Sequence, residues 1–280
     1  MTGQQCAPGI QRVPVRTPTL PPATHTNTYI VGTGHLSVFD PASPWEAEQR
    51  LLWEALLERI QGGERVAQIV LTHHHHDHVG GAVALQQALE STGPSVPIVA
   101  HPVTQELLQQ DFRVDHIWND GETRDCGGRH LTAHHTPGHD PGHLVFHDPE
   151  SATIIAGDMV AGIGTIALDP REGDLGDYLA SLERMQALNA ETLLPAHGPS
   201  MKPAHTVLSF YIAHRHQRSV QIRETLDHQG PHSASDLAPL IYPDLEDVVM
   251  PYAIAQITTH LLWLDQQGLV QRKGSEWRVS

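Results

Sequence analysis

Four consecutive histidines lie far inside the chain, in the segment LTHHHHDHVGG at residues 71–81. Histidine is the commonest metal-binding side chain and also carries protons near neutral pH. Alternate side chains of an extended segment point to the same side, so His73 and His75 are expected to face one point. Asp77 and His78 follow where the chain turns into a helix, and they can project toward a neighbouring point. The segment therefore predicts a metal site rather than a purification tag, because tags normally stand at a terminus.

Two imidazoles do not complete a catalytic zinc site, which needs a third protein ligand and an open position for water. Three further candidates close apolar segments that have the pattern of strands: His139 in HTPGH, Asp158 in IIAGD and His197 in LLPAHG. This set of residues suits two metals around a shared carboxylate. Spacing alone does not say which residue binds which ion.

Other histidines lie close to these candidates. His74 and His76 alternate to the opposite side of the histidine segment, so we expect them to face solvent or to support the ligands. His143 is the alternative to His139, because it lies only four residues further along. Most of the 22 histidines must be ordinary, since one site uses only a handful.

The elements that would carry these residues alternate between strands and helices up to about residue 200. This alternation predicts an α/β layered fold with polar residues at strand ends, where loops form a site on a rigid scaffold. The expected strands are 27–32, 36–40, 67–72, 97–101, 131–136, 143–148, 152–158 and 192–197. The expected helices are 44–60, 79–92, 103–110 and 174–190.

The pattern changes after residue 203, where helices over 205–229, 234–242 and 250–267 precede a short hairpin, the arrangement of a winged helix. We therefore divide the chain into domains 1–202 and 203–280. The third of these helices has no Lys or Arg, and the C-terminal domain holds six Lys and Arg against eight Asp and Glu. This composition predicts a packing, lid or dimerisation role rather than sequence-specific DNA binding.

The overall composition narrows the class of protein. The 280 residues carry a formal net charge of −15, which disfavours non-specific binding to nucleic acid. We find no run of about eighteen apolar residues, so we expect no membrane partner. The first residues lack the features of a signal peptide, and Cys6 and Cys126 form no disulfide framework. These features predict a cytoplasmic protein.

The seven candidate ligands match, in order and spacing, the metal signature of the metallo-β-lactamase-fold hydrolases. The segment THTNTYIVG at 24–32 and the C-terminal domain resemble the β-lactamase-like protein 2 subfamily. The resemblance implies an αββα sandwich with a binuclear site and a small C-terminal winged-helix domain. It also implies that Asn27 reaches the site, with a role at a strand edge as the alternative, and that His143 supports the ligands. It implies one metal on His73, His75 and His139, another on Asp77, His78 and His197, and Asp158 bridging both.

This resemblance implies a hydrolase that uses a bridging hydroxide between two divalent ions, zinc first with manganese or iron as alternatives. Asp77 or Asp158 would relay the proton. We expect cleavage of an ester, thioester or lactone in a small-molecule substrate, because an acidic chain without an evident basic stripe favours small ligands. The alternative is a phosphodiesterase or single-strand endoribonuclease, with single-stranded RNA as partner. A non-enzymatic regulator is disfavoured by the complete ligand set, and a homo-oligomer is left open.

Overall fold

A computed structural model describes residues 3–91 and 93–280 and contains two large β-sheets packed face to face. The first sheet has seven strands, which lie side by side in the order of the sequence. The first four strands pair antiparallel, and the last four pair parallel. They are β1 Gln4–Ala7, β2 Ile10–Arg16, β3 His25–Val31, β4 His35–Phe39, β5 Arg65–Val70, β6 Ile98–Ala100 and β7 His116–Ile117.

The second sheet has five strands in the order β12-β11-β10-β9-β8, and only its β11–β12 pair is parallel. They are β8 Thr123–Asp125, β9 His130–His135, β10 Leu144–Asp148, β11 Thr153–Gly157 and β12 Thr192–Pro195. Helices cover the outer faces of the sheets. They are α1 Glu46–Gln61, α2 His76–Val79, α3 Ala82–Glu90, α4 Pro102–Leu108, α5 Leu175–Ala187 and the long α6 Ala204–Gln229.

Three apolar layers hold the sandwich together. Leu52 and Leu56 of α1 pack on the first sheet, and Tyr178 and Leu182 of α5 pack on the second. Between the two sheets lie aromatic rings such as Phe146, whose centroid is 4.9 Å from that of Phe39. Removal of this apolar area from water is the main stabilising contribution to the fold. The expected αββα layering is confirmed.

The structure contains four strands that were not expected, β1, β2, β7 and β8. Strands β1 and β2 were not expected, since Pro14 interrupts the apolar alternation of Ile10, Val13 and Val15. Pro14 is accommodated because β1 pairs only with the first residues of β2, which leaves residues 13–16 at an open edge on that side.

The helix expected over 79–92 begins only at Ala82, as α3, because Gly80 and Gly81 separate it from the short α2. A Cβ on Gly81 would lie 2.5 Å from the carbonyl oxygen of Pro41, and a Cβ on Gly80 would lie 2.9 Å from that of Ala42. The two glycines therefore let the histidine segment approach the loop after β4 closely.

The C-terminal part is a small helical domain with a hairpin. Helix α7 begins with a capping box in which the side chains of Ser233 and Asp236 satisfy each other's backbone N–H groups. Helix α6 joins both parts, since its Leu208 packs with α5 while its Ile222 lies in the core of the C-terminal domain. The expected winged helix is confirmed, whereas the boundary at residue 203 stays a prediction. Its other elements are α7 Ala234–Ile241, a 3-10 turn Asp247–Val249, α8 Met250–Gln266, β13 Val270–Lys273 and β14 Glu276–Val279.

None of the helices within residues 3–91 and 93–280 is both long enough and apolar enough to cross a membrane.

Candidate metal centre

The histidine segment begins directly after β5, which ends at Val70, and it includes the short helix α2 that begins at His76. His75 has extended backbone angles (φ −62°, ψ 145°), so the residues before α2 are not helical. His73 is fully buried, whereas His76 at the first turn of α2 is exposed. His74 contacts the carboxylate of Asp140 beside the site. The four histidines therefore have different surroundings, and their unequal roles stay a prediction.

The first cluster of ligand atoms unites three histidines from two loops. The Nε2 atom of His73 lies 2.9 Å from Nδ1 of His75, and that Nδ1 lies 3.0 Å from Nε2 of His139. His139 comes from the loop between β9 and β10 of the other sheet. All three atoms lie within 4.8 Å of one another, a spacing that one metal ion can span.

The second cluster unites Asp77 and His78 with His197, which follows β12. Its ligand atoms also lie within 4.8 Å of one another. Asp158 stands between the two clusters, because its Oδ1 is 3.6 Å from Nε2 of His78 and 3.4 Å from Nε2 of His197. Its Oδ2 lies 3.6 Å from Nε2 of His139 in the first cluster. These groups coincide with the two sets that the resemblance implied, and the binding of metal to them stays a prediction.

Each histidine of the two clusters uses its remaining ring nitrogen to contact a protein oxygen. Such contacts set the tautomer and hold the ring plane, so that the other nitrogen is free to bind a metal. The pairs are His73 Nδ1 with Thr72 Oγ1 (2.9 Å), His75 Nε2 with Glu172 Oε1 (3.0 Å), His78 Nδ1 with Asp40 Oδ2 (2.8 Å), His139 Nδ1 with the Ala167 carbonyl (2.9 Å) and His197 Nδ1 with the His25 carbonyl (3.0 Å).

Three carboxylates around the candidate ligands were not expected from the sequence: Asp40, Asp140 and Glu172. Asp40 closes β4 as Asp158 closes β11, so an acid at the end of an apolar strand was a signal for both. Asp140 follows His139 directly, contacts His74 and accepts a hydrogen bond from the backbone N–H of Gly142 (2.6 Å). Contact with His74 lowers the pKa of the buried Asp140 carboxyl to about 2 in spite of its burial. Glu172 lies in the loop before α5, and no spacing signal pointed to it.

His143 is fully occupied by protein contacts. Its Nε2 accepts a hydrogen bond from the backbone N–H of Asp158 (3.1 Å), and its Nδ1 lies 2.9 Å from Oγ1 of Thr136. Burial lowers the pKa of His143 to about 3, which keeps the ring neutral. Gly157 makes this contact possible, because a Cβ there would lie 2.5 Å from Nε2 of His143. His143 thus supports Asp158, as expected, and does not replace His139.

Asn27 holds the backbone beneath His197 rather than facing the clusters. Its Nδ2 donates hydrogen bonds to the carbonyl oxygens of Pro195 and Gly198, each at 2.8 Å. Its backbone N–H donates to the carbonyl of Ala196 at 2.7 Å. Of the two roles considered for Asn27, the structure therefore favours the one at the strand edge.

The charge balance of the clusters fits a bound cation. Burial alone would raise the pKa of Asp158, but the neighbouring His197 and His78 hold it well below its ordinary value, so the group is a carboxylate. Burial and the neighbouring imidazoles lower the pKa of His73 well below its ordinary value. Within the described part of the chain, His78 Nε2 and Asp158 Oδ1 are buried without a hydrogen-bond partner. Divalent metal ions bind neutral imidazoles and carboxylates and satisfy such orphaned atoms, so the residues present fit two of them.

The clusters open into a cleft of about 210 Å³. His75, Asp77 and Asp158 reach its floor, while residues 18–23 and 161–167 form the walls beside Tyr252 of α8. A small substrate can therefore approach both clusters at once.

The C-terminal helices hold the loop that lines this cleft. Arg215 of α6 donates a hydrogen bond to the carbonyl of Ile166 (2.6 Å), and the hydroxyl of Thr259 in α8 donates to the carbonyl of Leu168 (2.9 Å). The backbone N–H of Leu168 donates to Oε1 of Gln256 (3.1 Å). The intervening Ala167 carbonyl contacts His139, so the C-terminal domain helps to orient a candidate ligand.

Comparison with known proteins assigns this fold and site to a family. The metallo-β-lactamase superfamily profile matches residues 21–197, and the β-lactamase-associated winged-helix domain profile matches residues 233–277. The chain belongs to the metallo-β-lactamase superfamily and carries a winged-helix domain of that associated kind. A crystal structure of a β-lactamase domain protein from Burkholderia ambifaria has the same fold, with a TM-score of 0.89 at 20% identity over 99% of this chain and 93% of that chain.

Curated relatives agree with this assignment. The lactamase-like protein adaB of Aspergillus niger is 32% identical over 204 residues, which are 72% of this chain but only 59% of that protein. The β-lactamase-like protein 2 homolog of Caenorhabditis elegans is 28% identical over 247 residues, which are 88% of this chain and 80% of that protein. The expected resemblance to the β-lactamase-like protein 2 subfamily is confirmed.

Two further names bear on chemistry. A Claviceps purpurea protein called atrochrysone carboxyl ACP thioesterase is 30% identical over 224 residues, 78% of this chain and 66% of that protein. The solved structure of TTHA1623 is described as a di-iron-bound form and is 29% identical, with a TM-score of 0.53 over 68% of this chain and 96% of that chain. The expected class, a metallo-β-lactamase-superfamily hydrolase, is thus supported.

Proposed function

We propose that this protein hydrolyses a carboxylic ester, thioester or lactone at a site for two divalent metal ions. One observation carries the proposal: two clusters of three ligand residues share Asp158 at the base of an open cleft. His73, His75 and His139 would hold one ion, and Asp77, His78 and His197 the other, with Asp158 between them. Bound divalent ions would polarise the scissile carbonyl. They would also lower the pKa of a water molecule, so that it can lose a proton near neutral pH and attack the carbonyl as hydroxide.

The residues of the chain supply the rest of the chemistry. Asp77 and Asp158 face the cleft with 17% and 11% of their side chains exposed, so we propose them as the groups that accept and pass on a proton. The walls of the cleft limit the access of bulk water to the reacting carbonyl. No serine or cysteine nucleophile is needed in this scheme.

Charge favours a carboxylic substrate over a phosphodiester. The charged residues among the cleft-lining residues that the structure describes, apart from the candidate ligands, are the acids Asp169 and Glu172. Phosphate recognition normally uses Lys or Arg. The thioesterase name of the Claviceps relative agrees with this choice. The ligands favour zinc, and the di-iron description of a related structure keeps iron as an alternative.

The experiment is a metal analysis combined with a panel of substrates. Purified protein should hold close to two metal ions per chain and hydrolyse acyl-thioesters or lactones faster than bis-p-nitrophenyl phosphate or single-stranded RNA. The variant Asp158→Ala should lose the ions and the activity, whereas Asp148→Ala, which removes a buried carboxylate paired with Arg129 in the second sheet, should keep both ions. Cleavage of RNA that needs Asp158, without hydrolysis of any carboxylic substrate, would establish the alternative function instead.

A further inference from the structure

A second cavity adjoins the metal cleft and is walled by the winged-helix domain. It measures about 530 Å³, within the range of about 300–1,000 Å³ that is usual for small-molecule sites. We call it the apolar groove. It shares a junction with the cleft that is formed by Leu20, Pro21, Gly164, Thr165, Ala167 and Tyr252. The two spaces therefore adjoin each other at Tyr252.

The far end of the apolar groove belongs to the C-terminal domain. Leu245 and Val249, which precede α8, line it together with the ring of Tyr242 and the methyl group of Ala253. The ring of Tyr242 is held in place by the Arg218 guanidinium, which lies 4.3 Å from the ring centroid. An apolar surface of this kind favours burial of hydrocarbon.

The charges around the apolar groove disfavour an anionic occupant. Its charged lining residues, among those that the structure describes, are Asp244 and Glu246, both exposed carboxylates. They repel phosphates and therefore disfavour nucleotides and RNA. An uncharged hydrocarbon group is compatible with both the apolar lining and these two carboxylates.

We propose that the apolar groove binds the hydrocarbon part of the acyl group of the substrate while the scissile carbonyl lies over the metal clusters. This inference rests on the proposed function, because it names the substrate class of the same site. It gives the winged-helix domain the role of setting acyl-chain specificity. Val249 and Leu245 then act on specificity, at the end of the groove remote from the ligands.

The test compares acyl-chain lengths in a matched pair of variants. Each methylene placed in the apolar groove raises kcat/KM by up to about fourfold, the factor that corresponds to about 0.8 kcal/mol. Because immobilising the chain offsets part of this gain, wild-type protein should prefer octanoyl to acetyl thioesters by at least about 30-fold. Val249→Trp, which fills the groove, should lower kcat/KM for the octanoyl substrate by at least about tenfold and leave the acetyl substrate within about twofold.

The adjacent Val248 provides the control. It is 73% exposed and does not line the groove, so Val248→Trp should keep the wild-type preference. Val249→Asp is a second variant, which places a carboxylate in the groove just before α8, where polar residues are tolerated. It should also weaken the preference for octanoyl, and Val248→Asp should not. Equal kinetics for the two members of each pair would overturn the proposal.

Binding of neutral amides separates this proposal from the proposed function. Octanamide should bind wild-type protein at least about tenfold more tightly than acetamide in calorimetric titrations, and Val249→Trp should abolish that difference. If this pattern appears but no thioester, ester or lactone is hydrolysed, the apolar groove stands and the proposed reaction fails. If carboxylic substrates are hydrolysed with no preference for chain length and octanamide binds no better than acetamide, the reaction stands and the groove proposal fails.

Discussion

Replacing Asp40 by asparagine tests whether metal binding at Asp77, His78 and His197 depends on a carboxylate that is not itself a candidate ligand. Asp40 is 3% exposed and accepts three hydrogen bonds: from the backbone N–H of Thr72 (2.8 Å), from the Thr72 hydroxyl (2.7 Å) and from Nδ1 of His78 (2.8 Å). Asparagine keeps the shape of the side chain. It also tolerates the left-handed backbone of Asp40, whose φ is +47°.

The expected effect follows from these contacts. In either orientation of the asparagine amide, its NH₂ group points at an N–H or O–H group that now donates a hydrogen bond to the carboxylate of Asp40. At least one of these hydrogen bonds is therefore lost. Each charge-assisted hydrogen bond that is lost costs about 1.5–3 kcal/mol. Loss of a carboxylate behind a metal-binding histidine lowers metal affinity by about 10–100-fold. This range corresponds to about 1.4–2.7 kcal/mol of binding free energy for the ion at Asp77, His78 and His197.

The assay is a competitive metal titration with a chromophoric chelator, followed by metal analysis. Asp40→Asn should hold one ion with wild-type affinity and the other about 10–100-fold more weakly, with kcat/KM falling in parallel when metal is limiting. Asp148→Asn is the control, because Asp148 is equally buried but is paired with Arg129. It should lower thermal stability and leave both ions in place. Wild-type affinity for both ions in Asp40→Asn, or the same loss of metal in Asp148→Asn, would refute the reasoning.

Three further predictions concern the histidines and the metal. Alanine at His73 or His75 should lower kcat/KM by at least about a hundredfold. Alanine at His74 should lower it by about tenfold or less, because that residue supports the site through its acidic neighbours, and alanine at His76 should lower it very little. Equal losses for all four variants in steady-state assays would contradict the alternation. Burial and stacking on the neighbouring imidazole of His135 lower the pKa of His101 from 6.5 to about 4. Because the native state resists this protonation, its stability should fall as the pH drops from about 6.5 to about 4. The variant His101→Asn can still accept the hydrogen bond at the start of α4 and should flatten this pH dependence in thermal melts relative to wild type. Removing metal with a chelator should lower the melting temperature, since an ion that binds only the native state stabilises it, and an unchanged melt would argue against bound ions.

The sequence by itself determined the type of chemistry and most of the elements. The alternation in the histidine segment and the polar residues closing apolar strands are local patterns. Local patterns survive in any fold that keeps those strands, so they brought Asp158 and His197 into the candidate set together with the histidine segment. Strand β2 escaped prediction because Pro14 breaks its pattern, and only the open edge beside it explains why the proline is tolerated.

The tertiary structure decided how these residues are grouped. The loops that carry His75 and His139 belong to different sheets, so only the packing of one sheet on the other brings their ring nitrogens to 3.0 Å. The same packing decided that Asp40 and Glu172 hold two of the imidazoles. The apolar groove depends on where α6 and α8 place the winged-helix domain against residues 163–169. Such long-range contacts arise from burial and hydrogen bonding between segments that are distant in the chain, and no local spacing encodes them.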